Sequence, residues 1–163
     1  MRKYAVLAAA AGMALAGVAK ADFTLTKDNG GVSSTATGGT PGSRAARASG
    51  EEYLLERRLF RRLSTGKPAD EQFLRFAHPN RWHYDVLRAL DYFRDGACLT
   101  GGTPDARLGE AVDHVRSRCL EDGRWPLDWS PPGRVWFEVD DGPGQPSRWI
   151  TLRAMRVLRW CEA

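Results

Sequence analysis

The chain has little of what metal centres, disulfide frameworks and nucleotide-binding loops require. Only three of its 163 residues are cysteines, and Cys98, Cys119 and Cys161 lie far apart, with no CxxC pair and no Cys/His cluster. An odd count argues against a full disulfide framework, so we expect them to be small buried apolar side chains. The sequence also lacks a P-loop, a GxSxG motif and a glycine-rich dinucleotide turn. It therefore predicts no metal and no cofactor.

Most of the chain also lacks an excess of charge of either sign. Residues 1–50 carry six Lys/Arg against two Asp, whereas residues 51–163 carry 18 basic and 18 acidic side chains. The net charge of +4 therefore belongs to the N-terminal part. A neutral domain offers no basic surface of the kind that nucleic acids bind, so we expect no nucleic-acid partner.

Residues 1–21 have the three parts of a secretory signal peptide. A positive start is followed by an uncharged run rich in Ala, Leu and Val (residues 4–18), and Ala19 and Ala21 suit a cleavage site. The run is shorter than the roughly 20 apolar residues that a membrane span needs. We therefore predict no stable membrane span and an exported protein, periplasmic or secreted, which would stay cytoplasmic only if the signal is not used.

A tether is predicted at residues 22–49, which are rich in Gly, Ser and Thr and poor in large apolar side chains. Such a composition buries too little surface to offset the entropy of ordering it, which predicts a disordered segment. The composition changes sharply near Ser43. This leaves open whether the N-terminal part and the following domain have separate origins, and whether the chain is a truncated or fused fragment without independent function.

Residues 50–163 are predicted to form one all-α domain with about four long helices. A capping box of Ser49 and Glu52 would start the first helix, and Thr103 and Ser147 would cap the third and fourth. No long strand pattern is present, and one short extended piece is predicted at Val135–Val139. The predicted helices are Gly50–Leu63, Arg81–Arg94, Pro104–Asp122 and Arg148–Cys161.

The second and fourth predicted helices align without gaps at an offset of 65 residues. Tyr84 then aligns with Trp149, Leu87 with Leu152, and Leu90 with Met155. The periodicity predicts that the last helix buries a stripe of four residues. These are Trp149, Leu152, Met155 and Leu158. Helices that recur in this way suggest a stack of helical hairpins.

A glycine-tryptophan corner lies between these two helices. It resembles the Gln-Trp motif of the terpenoid-cyclase and protein-prenyltransferase superfamily, since Gly123 and Trp125 match and Cys119 replaces the glutamine. About two thirds of the chain, residues 51–161, is similar to bacterial squalene-cyclase-like proteins. The likeness is carried by residues 82–92, 122–127 and 146–160. The resemblance implies part of an α/α toroid.

Four helices are too few to close a toroid, so inner apolar faces would need a ligand, a protein partner or a second copy to cover them. We therefore expect a non-catalytic binding or interaction module for an apolar small molecule or a protein, with possible self-association. The candidate contact residues are aromatic or basic. They are Trp82, Tyr84, Trp125, Arg148 and Trp149.

The alternative that the resemblance implies is an enzyme acting on an isoprenoid substrate. Class II terpene cyclases protonate their substrate with an Asp-x-Asp-Asp motif, and the nearest match is Glu138, Asp140 and Asp141. This acidic group precedes a Gly-Pro-Gly turn, where surface charge is the commoner role. General acid catalysis needs a sheltered site, which such a loop does not supply. We therefore predict no catalytic residue and prefer the binding module to the enzyme.

Overall fold

The computed structural model describes residues 39–133, 136–138 and 140–163. About half of this part is helical, in four α-helices as predicted, and it also contains one small antiparallel sheet. The predicted signal peptide 1–21, the tether as far as residue 38, and Val135 and Val139 lie outside the described residues. The α-helices are α1 Pro41–Glu56, α2 Val86–Thr100, α3 Gly109–Ser117 and α4 Arg148–Cys161. Two short 3₁₀ helices cover Glu71–Leu74 and Ala106–Leu108. The two strands are β1 Trp125–Pro126 and β2 Pro146–Ser147.

Helix α1 begins well before the predicted position. Thr40 is its N-cap, with Oγ1 accepting a hydrogen bond from the Ser43 N–H at 3.1 Å, and Pro41 occupies the first helical position. Proline is favoured there because its ring already has a helical φ angle. The Ala- and Arg-rich residues that follow favour a helix and contain no breaker. The predicted start at the Ser49 capping box, and the assignment of residues 41–49 to the tether, are therefore wrong.

Helix α1 also ends earlier than predicted, in a left-handed turn. Arg58 and Leu59 have φ angles of 46° and 69°. The Leu59 amide donates to the Leu54 carbonyl at 2.9 Å, and the Arg58 amide donates to the Leu55 carbonyl at 2.9 Å. This is a Schellman cap, which here buries Leu59 completely. Leu63, predicted as the last residue of this helix, is exposed beyond the turn.

Helix α2 begins five residues later than predicted. Asp85 is its N-cap and accepts a hydrogen bond from the Arg88 N–H at 2.7 Å. Upstream, Arg81 has a left-handed backbone with a φ angle of 45°, which is incompatible with a helix start at that residue. Trp82 and Tyr84 therefore lie in the loop before α2 rather than on its first turn.

Helix α3 is shorter than predicted and starts differently. Asp105, not Thr103, caps the short 3₁₀ helix that leads into it, by accepting the Arg107 N–H at 2.8 Å. The helix ends at Ser117, before Cys119. Cys119 and Cys98 are exposed and Cys161 is half-buried, so the expectation of buried cysteines is wrong for two of the three. The residues that this helix and the preceding 3₁₀ helix bury are Leu108, Ala111, Val112 and Val115.

The corner after α3 is built around a buried tryptophan. Gly123 has a φ angle of 78°, which glycine adopts without steric cost. Trp125 follows it and is 5% exposed. Its indole Nε1–H donates to the Val115 carbonyl at 2.6 Å, and its backbone N–H donates to Thr151 Oγ1 at 3.0 Å. Trp125 therefore joins α3 to α4, and β1 pairs with β2 across the same junction.

Helix α4 has the predicted cap but the opposite buried face. Ser147 Oγ accepts the Ile150 N–H at 3.0 Å, which confirms the cap. The predicted stripe is wrong, because Trp149, Leu152 and Met155 are exposed. The buried residues are Ile150, Ala154 and Val157. Both stripes fit a helical period, and the packing of α4 against α2 and α3 selects the one with smaller side chains.

The 65-residue alignment does not describe equivalent positions. Leu87 and Leu90 are completely buried, whereas Leu152 and Met155, with which they align, are exposed. The two helices instead pack directly against each other and share one hydrophobic core with α1 and α3. None of the described helices is both long enough and apolar enough to cross a membrane.

Candidate functional site

The loop that enters α2 is organised around one buried carboxylate. Asp85 is completely buried and accepts three hydrogen bonds. The donors are the Arg88 N–H at 2.7 Å, the Asn80 side-chain amide at 2.8 Å and the Ala77 N–H at 3.3 Å. Burial raises the pKa of Asp85, and the positive charge of Arg153 opposes that shift. The carboxylate thus fixes the loop at both ends while also capping the helix.

Arg153 connects this loop to α4 and α2. Its Nη1 donates to Asn80 Oδ1 at 2.6 Å, and its Nε lies 3.4 Å from Asp91 Oδ2. Asn80 therefore accepts from Arg153 while its amide nitrogen donates to Asp85. A continuous chain of hydrogen bonds runs from α4 through the loop to the start of α2. Satisfied networks of this kind hold a loop in one conformation.

A histidine and a tryptophan are stacked beside this network. The rings of His78 and Trp149 have centroids 5.3 Å apart and an interplanar angle of 15°. Burial is the main cause of a lowered His78 pKa, the Arg153 charge is the second, and Asp140 opposes both. Both causes favour the neutral form of the His78 imidazole. Trp149 keeps 39% of its surface exposed.

A second group of aromatic side chains lies on the same loop. Trp82 is 66% exposed and meets Trp129 edge-on, with ring centroids 6.3 Å apart. His83 lies against the same Trp129 ring at 4.9 Å. The backbone of Trp129 is fixed to the loop, because its carbonyl accepts the His78 N–H at 3.2 Å. We call the set His78, Trp82, His83, Trp129 and Trp149 the aromatic loop surface.

The predicted contact residues divide between this surface and the interior. Trp82 and Trp149 belong to the aromatic loop surface, and Arg148 is exposed at the start of α4. Tyr84 faces inward, since its hydroxyl donates to the Leu59 carbonyl at 2.6 Å and burial raises its pKa. Trp125 is a core residue. The structure therefore includes two of the five predicted residues in this set and places two others in packing roles.

The acidic group predicted for the enzyme alternative lies in a loop before α4. Glu138 and Asp141 are exposed, and Asp140 is partly buried. Asp140 accepts a hydrogen bond from the Ser147 hydroxyl, the N-cap of α4. Its carboxylate therefore supports a helix cap. The other two carboxylates are exposed, whereas general acid catalysis needs a sheltered site.

The aromatic loop surface can bind by stacking and apolar contact, with the neutral His78 imidazole as its polar group. Within the described ranges no three His, Cys, Asp or Glu side chains converge as metal ligands. Comparisons of the chain with family models, with curated proteins and with solved structures found no match. The assignment of function therefore depends on this geometry.

Sequence reasoning missed His78, His83 and Trp129 as members of the surface. A signal for them was present, because two of the three histidines of the chain lie within six residues, on either side of Asn80 and Trp82. Trp129 lies 46 residues beyond His83, and only the tertiary contact between Trp129 and the loop connects them.

Proposed function

We propose that the domain is a non-catalytic binding module and that the aromatic loop surface contacts its ligand, an apolar small molecule or an apolar part of a protein partner. The observation that carries this proposal is the Trp82 indole, 66% exposed yet held edge-on against Trp129. A large ring that is already positioned loses little conformational entropy on binding. The loop beneath it is anchored by the completely buried Asp85.

The kinship with squalene-cyclase-like proteins, the partial α/α toroid and the export of the protein are parts of the same proposal. The glycine-tryptophan corner supports the kinship, because Gly123 has a positive φ angle and Trp125 is buried between α3 and α4. Direct packing of α2 against α4 is compatible with stacked hairpins. An exported binding module would meet its ligand outside the cytoplasm.

The proposal is tested by titrating the protein with farnesol, an apolar isoprenoid, in a calorimeter. Trp82→Ala should weaken binding at least about tenfold, since truncating a central aromatic contact commonly costs 1–2 kcal/mol or more. Trp136→Ala is the matched control, because Trp136 is also an exposed tryptophan but lies outside the aromatic loop surface. It should leave the affinity unchanged. Equal affinities for all three proteins would contradict the proposed surface.

The same samples separate binding from catalysis. Farnesol recovered unchanged after incubation, by gas chromatography, is the expected result for a binding module. Conversion that Asp140→Asn abolishes would replace the proposal with the enzyme alternative. Binding of neither farnesol nor a comparable apolar probe would remove the small-molecule form of the proposal and leave a protein partner.

A further inference from the structure

The outward side of α4 combines large apolar and positively charged side chains. Helix α4 contains four arginines and no acidic residue. Arg153 is turned inward to Asn80 and Asp91. At 3.6 residues per turn the other three arginines share an arc of about 100° with two exposed apolar residues. This set, the α4 outer face, is Arg148, Leu152, Met155, Arg156 and Arg159.

The charge and the apolar area of this face are largely uncompensated within the described part of the chain. Arg156 lies 3.6 Å from Asp95, and no described ion pair involves Arg148 or Arg159. Leu152 and Met155 are 50% and 57% exposed. An apolar patch bordered by like charges is typical of an interaction surface whose partner has the opposite charge.

The same chain carries a segment of complementary character. Trp136 is fully exposed and Phe137 is 73% exposed, and the acidic residues Glu138 and Asp141 beside them are also exposed. Residues 136–147 contain three carboxylates and no basic side chain. Because the Trp136 ring is fully exposed, it does not cover the α4 outer face of its own chain. We call Trp136, Phe137, Glu138 and Asp141 the acidic aromatic segment.

We infer that the α4 outer face binds the acidic aromatic segment of a second copy of this chain. The hydrogen bond between Asp140 and Ser147 holds the segment at the N-terminus of α4, so the two complementary surfaces are neighbours on each copy. A two-fold axis passing between them would bring each face onto the partner's segment, and the contact would be closed and made twice. The dimer does not require the ligand contact proposed for Trp82.

The test is sedimentation equilibrium of the full chain together with charge reversal. The wild-type protein should dimerise, and salt should weaken the dimer. The dimer should be weakened at least about 100-fold by the double variant Arg148→Glu/Arg159→Glu. The double variant Glu138→Arg/Asp141→Arg should weaken it as much. Either variant places like charges opposite each other in both contacts of the dimer. An equimolar mixture of the two double variants should form a heterodimer, since both contacts regain opposite charges. Far-UV circular dichroism checks that each variant is folded.

Several outcomes overturn the inference. One is a wild-type protein that stays monomeric at about 100 μM, well above the Kd of a stable dimer. Another is a dimer that both reversals leave intact, or a mixture that does not reassociate. The protein could instead stay monomeric and sediment with phosphatidylglycerol vesicles. If the arginine reversal abolished that vesicle binding, the face would be assigned to an anionic membrane. Trp82→Ala separates the two proposals, because it should weaken farnesol binding while dimerisation persists.

Discussion

Removing the buried carboxylate of Asp85 should destabilise the loop that enters α2. Asp85→Ala deprives the Ala77 and Arg88 amides and the Asn80 side chain of their acceptor. A buried donor left unsatisfied costs about 1–3 kcal/mol. Part of this loss is offset, because burial disfavours the charged form of Asp85 and raises its pKa. We therefore expect a net destabilisation of about 2–4 kcal/mol at pH 7.

Thermal unfolding followed by near-UV circular dichroism measures this effect. At roughly 4 °C per kcal/mol for a domain of this size, the midpoint should fall by about 8–16 °C. Asp85→Asn should have an intermediate effect, since it keeps one acceptor oxygen and removes the buried charge. Asp113→Ala is the matched control, because this carboxylate is exposed on α3 and should change stability by less than about 0.5 kcal/mol. An Asp85→Ala protein as stable as the control would refute the anchoring of the loop.

Three further predictions concern the packing and titration of the same elements. Ala154→Leu should cost about 1–3 kcal/mol by overpacking a buried site, while Leu152→Ala should be nearly neutral in denaturant titrations; the reverse order would restore the predicted stripe. Trp125→Ala should cost about 3–5 kcal/mol by the same assay, and a smaller loss than for Trp149→Ala would contradict its place in the core. Burial lowers the His78 pKa, so the stability contributed by its neutral form should be complete above the unfolded pKa of 6.5 and should be lost as the pH falls below that value. His78→Gln should therefore flatten the plot of melting temperature against pH between about 7 and 5.5. An unchanged slope in this variant would contradict the role of His78.

Local signals in the sequence were sufficient where one residue decides the structure. Ser147 was identified as a helix cap because a hydroxyl at that position satisfies the Ile150 amide whatever packs nearby. The glycine-tryptophan corner was identified from Gly123 and Trp125 alone, although Trp125, predicted as a contact residue, is buried in the core. Neither inference needs knowledge of distant parts of the chain.

Where two patterns competed, the sequence could not choose. In α4, the stripe of Trp149, Leu152 and Met155 and the stripe of Ile150 and Ala154 both have helical spacing, and the larger side chains favoured the wrong one. Hydrophobic periodicity gives the existence of a buried face, whereas the space beside α2 and α3 determines which face it is. The aromatic loop surface was missed for a related reason, since tertiary contacts assemble it from residues far apart in sequence.

The candidate binding site is tested most directly by the indole N–H resonances of the six tryptophans during a farnesol titration. The resonances of Trp82, Trp129 and Trp149 should shift together with one dissociation constant. That of Trp125 should stay constant, because its indole N–H is bonded to the Val115 carbonyl in the core. A titration in which Trp82 and Trp149 stay constant while other tryptophans shift would contradict the account.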